Sequence, residues 1–280
     1  METRKLDEED LYIRRRTEIT GPKTTYHSII LSLLTEPCFR AWTEQLCYIL
    51  KSPVNDFLLV ALRKVQCKSL LGTVGWFFNL QSSIESFEIR MKEISEEDIK
   101  QALDRLRTTK KVVLNIHSVD GFQHRNNTMF NTDRVVVRKA KWITIDNLLD
   151  MKNCLAITLL EPSFTDVVVN SFIHKWVDGH FPHLEYFCFE IKKEESNEFH
   201  TTRVLKGIEY EFEENVIRIY KKGEKGLNLI IGTNKGWHIR SKSGLKASIL
   251  TLEIEGICTF VLFVWTEESI IVTGENELFE

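Results

Sequence analysis

Three histidines, His174, His180 and His183, stand close together around Trp176 and Gly179. Bound metal is the chemistry that grouped imidazoles would do. Zinc sites, however, draw on standard helix pairs and add cysteine or acid ligands, and here neither the spacing nor a neighbouring group supplies them. The group reads as a helix end with imidazoles near the negative end of the dipole. Six cysteines, Cys38, Cys47, Cys67, Cys154, Cys188 and Cys258, form no C-x-x-C pair. A thiol nucleophile with His117 or His238 as its base would need an accessible, electropositive setting. Most of these cysteines occupy apolar positions instead. They read as buried free thiols in a reducing compartment. The chain has no Walker loop, dinucleotide fingerprint or H-E-x-x-H motif. The expectation is a protein that is not an enzyme and holds no metal or cofactor.

One stretch carries a charge signal. From Arg218 to Lys246 there are eight basic residues, and Glu224 is the only acid. The preceding run, Glu185 to Glu214, is rich in glutamate. Tyr220 and Trp237 interleave with the basic residues, so Tyr220, Lys221, Lys222, Trp237 and Arg240 are the candidate partner-binding residues. Such a face suits RNA or an acidic protein. Against RNA stands the period of two in a strand, which leaves only half of the charges on one side. Lysines on exposed sheet edges also explain the run. Trp142, Trp176 and Trp265 sit in apolar company and are expected in the core, whereas Trp237 starts a strand after Gly236.

The elements that must position these residues follow a recurring pattern, apolar-x-x-apolar-x-apolar. It appears at Phe57/Val60/Leu62, Ile84/Phe87/Ile89, Leu114/Ile116, Cys154/Ile157/Leu159 and Leu184/Phe187/Phe189. Copies lie about 27, 27, 40 and 30 residues apart, near the period of leucine-rich repeats. Each copy reads as a short buried strand followed by a helical stretch, and such units bury their apolar faces by stacking. The expected fold class is α/β: a leucine-rich-repeat-like strand–helix layer, then a C-terminal antiparallel β-rich part.

Helices are expected near 39–51, over 68–81, after Ser95, in 142–150 and after Thr165. Ser95 is a good N-cap with Asp98 at the capping-box position, and Ile99, Ala102, Leu103 and Leu106 form one stripe. Thr165 precedes Val169, Phe172, Ile173 and Trp176, and Gly179 stops that helix. Residues 117–141 break the period and read as an inserted loop or hairpin with a strand at Val135–Val137. Beyond His200 the expected strands are 203–212, 216–220, 227–231, 237–241, 247–254 and 259–265. Turns are expected at Gly223, 232–234, 243–244 and 255–256.

The chain has 280 residues, 43% hydrophobic and 28% charged, which fits a folded domain and not a disordered one. The net charge of −3 favours no class of partner. The apolar runs fall far short of the roughly 20 residues that cross a bilayer, so no membrane span is expected. Met1–Asp10 is mixed in charge with no apolar core behind it and does not read as a secretory signal. The expected location is intracellular, cytoplasmic or nuclear. Three regions follow: 1–52, partly disordered with one helix; 53–191, the repeat-like α/β region; and 192–280, the β-rich region.

The stretch Trp142–Met151, then Cys154–Leu159, Ser163–Asp166, Asn170–Trp176, Gly179 and Leu184-Glu185 resembles the type 2 F-box-associated domain of a large nematode family of F-box proteins. Val204–Ile208, Ile239-Arg240, Gly244 and Ala247–Ile249 resemble its C-terminal half. The likeness runs from about Asn79 to Trp265, with its signature at about 128–191. The resemblance implies a non-enzymatic module that presents target proteins for ubiquitination, like the substrate-recognition region of an SCF-type ubiquitin ligase. The family usually carries an acidic, doubly basic run where this chain has Trp237–Ser241. It also begins with Leu-Pro and Leu-x-x-Leu patterns that residues 1–52 lack, so the contact with the Skp adaptor and cullin ligase has no recognisable F-box here. The other readings are an orphan protein-binding scaffold and an RNA-binding protein using Arg218–Lys246.

Overall fold

The computed structural model describes residues 14–19, 25–30, 36–50, 54–61, 72, 74–91, 95–117, 121–125, 130–192, 199–221 and 230–265. Ten strands form one sheet: β3 (Asp56–Ala61), β4 (Ile84–Met91), β5 (Thr108–Ile116), β6 (Arg134–Arg138), β7 (Ala156–Leu160), β8 (Tyr186–Lys192), β9 (Glu211–Lys221), β10 (Ile230–Arg240), β11 (Lys246–Ile254) and β12 (Ile257–Val264). Their order is β3-β4-β5-β6-β7-β8-β12-β11-β10-β9. The strands from β3 to β8 are parallel and adjacent in chain order. From β8 onward every pair is antiparallel.

Parallel neighbours need crossovers, and helices supply most of them. The helices are α1 (Glu36–Leu50), α2 (74–80), α3 (Glu96–Arg105), α4 (Ile145–Asp150), α5 (Asp166–Val177) and the short α6 (Thr201–Val204). The Ser95 hydroxyl accepts the Asp98 amide at 3.2 Å and donates to the Asp98 carboxylate at 2.6 Å. Ile99, Ala102, Leu103 and Leu106 are buried as their spacing predicts. Thr165 caps α5 through the Val168 amide. Gly179 ends it at φ +86°, a conformation that costs glycine nothing. Gly75 has a different purpose. An added Cβ there would meet the Arg105 guanidinium at 2.6 Å, so that side chain would have to move aside.

The period-two pattern becomes a row across the whole sheet. Phe57, Phe87, Val112, Val135, Ile157, Phe187, Leu262, Ile249, Trp237 and Phe212 are successive register partners. One buried cluster runs from Phe57 to Val264 and contains Phe87, Ile157 and Phe187 together. Phe187 is fully buried, 4.3 Å from the Phe172 ring and 6.2 Å from Phe260. On the opposite face Cys188, Leu250, Val261 and Phe263 form a second, smaller cluster with half-buried Tyr186, Leu252 and Trp265.

Several expectations are corrected. The strand expected at Val135–Val137 is borne out, but it does not belong to an inserted loop or hairpin: Arg134–Arg138 is a full sheet member between β5 and β7. The expected strand at 203–212 divides: Thr201–Val204 is helical, and Glu211 begins a strand that continues to Lys221. The turn expected at 232–234 is strand interior, because Ile230–Arg240 runs through it, with a register shift between Thr233 and Lys235. Glycine there marks an irregular ladder instead of a chain reversal. In the N-terminal stretch expected to be poorly ordered, β1 (Arg14–Ile19) pairs antiparallel with β2 (Thr25–Ile30). The turns at 243–244 and 255–256 are borne out. The turn expected at Gly223 lies outside the described residues. No described helix is long and apolar enough to cross a membrane.

Candidate functional site

The C-terminal end of α5 is bolted to both the 204–207 segment and the β10–β11 turn. Asn170 donates to the carbonyls of Val204 (2.6 Å) and Lys206 (3.0 Å), and His174 Nε2 lies 3.1 Å from the Lys206 carbonyl. The Lys242 amide donates to the Val177 carbonyl at 2.8 Å, and its ammonium lies 2.7 Å from Asp178. That hydrogen bond and charge hold the Asp178 carboxyl below its ordinary value. The result is an open cleft of about 790 Å³ between α5, residues 207–213 and the β10–β11 end, lined by Glu209, Glu211, Glu213, His238, Arg240 and Lys242 among others.

Aromatic side chains rim this end of the sheet. Tyr210 and Phe212 are each 47% exposed. The Phe212 ring stands 5.2 Å from half-buried Trp237. Large apolar rings left open beside charged groups are the composition of a protein-docking surface.

A polar chain crosses the other face. Trp265 Nε1 donates to Ser248 Oγ at 2.8 Å, and Ser248 Oγ lies 2.8 Å from His238 Nδ1. His238 Nε2 lies 3.3 Å from Glu213 Oε2. An indole nitrogen can only donate, so Ser248 Oγ accepts from Trp265 and keeps a proton and a second lone pair for His238 Nδ1. The order is that of a serine hydrolase, but Ser248 is fully buried and its oxygen already accepts a hydrogen bond. A sealed hydroxyl cannot reach a substrate, and the string instead ties β10, β11 and the end of β12 together.

The four described thiols are held in their protonated form. Burial pushes Cys154 up to about 12 and Cys188 up to about 11, and it also raises Cys47 and Cys258. Each is protonated at neutral pH, the unreactive form. Among the described residues no group of three His, Cys, Asp or Glu side chains is placed to hold a metal ion. His174 serves as a hydrogen-bond partner of the chain turn after α6.

The candidate partner-binding residues are spread out. Trp237 and Arg240 both lie on β10, but three residues apart in a strand puts them on opposite faces. Trp237 shares its face with buried Ile239, and exposed Arg240 lines the cleft. Tyr220 and Lys221 stand opposite Ile231 and Ile230, about 20 Å along the ribbon from Trp237. Lys222 lies outside the described residues. Trp142 and Trp176 are buried as expected, while Trp265 is half-buried on the second face. Tyr210, Phe212 and the Ser248 string were missed. A strand–helix boundary misplaced at 203–212 hid the first two, and partners brought together only by β-pairing hid the third.

The family model described as F-box associated matches residues 123–189, within a few residues of the signature expected at about 128–191, and does not reach the wider limits of Asn79 and Trp265. The match covers β6, α4, β7, α5 and most of β8. Within it, Thr144 and Asn147 form a capping box, and the Asn147 amide donates to the His124 carbonyl at 2.7 Å. A Caenorhabditis elegans relative, the Skn-1 dependent zygotic transcript 15 protein, is 23% identical over 137 residues. That alignment covers 48% of this chain and 37% of the relative, so the match spans little more than a third of the relative's length. No solved structure matches the chain.

Proposed function

We propose that this chain is a non-enzymatic protein-interaction module that acts as the substrate-recognition region of an SCF-type ubiquitin ligase. The observation that carries the reading is the F-box-associated match over 123–189, which spans the centre of the ten-stranded sheet. The strand–helix units beside it stack in the manner of leucine-rich repeats and hold the outer faces rigid. The role is positional. A target docks on the rim of Tyr210, Phe212 and Trp237 beside the α5 cleft, and a separate enzyme transfers ubiquitin. Raised thiol values and the sealed Ser248 favour this reading over enzymatic chemistry.

A pull-down of the full chain with the Skp adaptor tests the ligase link. Saturable binding at micromolar concentration is the expected result. Absence of binding there removes the ligase role and leaves an orphan scaffold.

A further inference from the structure

We propose that a groove where the parallel strands begin holds an extended, acidic segment of a partner protein. The proposal does not rest on the ligase reading. It concerns a surface apart from the α5 cleft, with which the groove shares no lining residue. The groove is open and about 730 Å³ in volume. Its lining includes Ser83 ahead of β4, Arg107 ahead of β5, Asn131 ahead of β6, Asn153 ahead of β7 and His180 ahead of β8. These five strands are neighbours in the sheet. Their spacings of about 4.8 Å sum to a length of about 19 Å, which about six extended residues span. The groove lies at the strand ends and leaves the buried apolar row untouched.

Its polar groups fit a peptide backbone. Asn153 Nδ2 donates to Asn131 Oδ1 at 3.2 Å, and both residues are exposed. That bond uses one donor and one acceptor, so the Asn131 amide nitrogen and the Asn153 amide oxygen keep their capacity. A donor and an acceptor side by side match the C=O and N–H of an extended chain, whose backbone groups are otherwise unpaired. Half-buried Leu149 adds an apolar contact among them.

The charge selects an acidic chain. Among the described lining residues Asp150 is the only acid, and Arg125 Nε stands 3.2 Å from its carboxylate. Arg107 Nη1 is engaged by the Asp104 and Leu106 carbonyls. Lys152 stands exposed in the lining, and neither an ion pair nor a hydrogen bond occupies its ammonium. The exposed His180 imidazole likewise has no hydrogen-bond partner. With Asp150 offset by Arg125, the open charge of the groove is positive. An apolar segment would strip water from the two asparagines without replacing its hydrogen bonds. Single-stranded RNA is held on aromatic platforms, and apart from His180 the described lining has no aromatic ring.

Fluorescence anisotropy on the full chain tests this with capped, labelled hexapeptides. Hexaglutamate should bind saturably below about 1 mM and weaken as salt is raised. Hexaglutamine and hexalysine should each bind about fivefold more weakly, or worse. Lys152→Glu should weaken hexaglutamate about fivefold and turn the preference towards hexalysine, a gain that an unfolded chain would not show. Asn131→Ala/Asn153→Ala should weaken hexaglutamate and hexaglutamine by the same factor, because it removes contacts to the backbone. Lys192→Glu, at the other end of β8, should leave hexaglutamate binding unchanged. Absence of saturation by hexaglutamate at about 1 mM overturns the proposal. So does a Lys152→Glu chain that binds hexaglutamate as the wild type does, or a Lys192→Glu chain that loses as much. A uridylate RNA hexamer that binds more tightly than hexaglutamate, and is lost with Lys152→Glu, overturns it in favour of nucleic acid.

Discussion

The two halves of the sheet bury their apolar rows in different ways. In the parallel half, each strand hands its chain to a crossover, and α3 and α5 cover the row with Leu103, Phe172 and Trp176. In the antiparallel half, tight turns link β10 to β11 and β11 to β12, and among the described residues the helix between β8 and β9 is the four-residue α6. Phe187 and Phe212 belong to the same register row, yet one is fully buried and the other 47% exposed. A parallel sheet must be covered because its connections lie on its face, whereas an antiparallel ribbon can leave a face open. The uncovered end is where the aromatic rim, the cleft and the free sheet edge coincide. Stability and recognition are thus divided along one sheet.

Substitutions along that shared row sharpen the division. Phe187→Ala should cost about 3–5 kcal/mol, because the ring is fully enclosed by Phe172, Phe189 and Phe260. Urea unfolding should register this as one cooperative loss in which both halves melt together, since β8 borders each. Two separate transitions would break the picture of a common core. Ser95→Ala tests the covered half more gently. Losing its bond to the Asp98 amide should lower stability by about 1 kcal/mol in thermal unfolding, and Ser95→Thr should restore most of it. Phe212→Ala lies at the small end, within about 0.5 kcal/mol of wild type. A large destabilisation there would mean that the rim belongs to the core and is not held open for a partner.

Local structure was legible wherever chain neighbours decide it. Ser95 and Thr165 announce their helices because an N-cap needs only an oxygen and amides three residues on. Phe87, Ile157 and Phe187 mark buried strands because alternation is written in adjacent positions. The legibility fails where pairing comes from afar. Val135–Val137 declares itself a strand, but its place between β5 and β7 in the main sheet is set by those neighbours and not by its own pattern. Gly232–Asn234 reads as a turn in isolation, yet pairing with β9 holds the chain extended through it. The arrangement of the candidate residues was not legible: Trp237 and Arg240 stood among five expected together, but the pleat sends them to opposite faces.

By itself the sequence determined that this is an α/β protein with capped helices, a row of buried strands and a segment near its middle that resembles an F-box-associated domain. These follow from side-chain type and spacing within a turn or a strand. The tertiary structure decided that β12 lies beside β8, that β9 ends the sheet, and that Ser248, His238 and Glu213 meet. Such neighbours are chosen by hydrogen bonds and packing between residues far apart in the chain, and no local period records them.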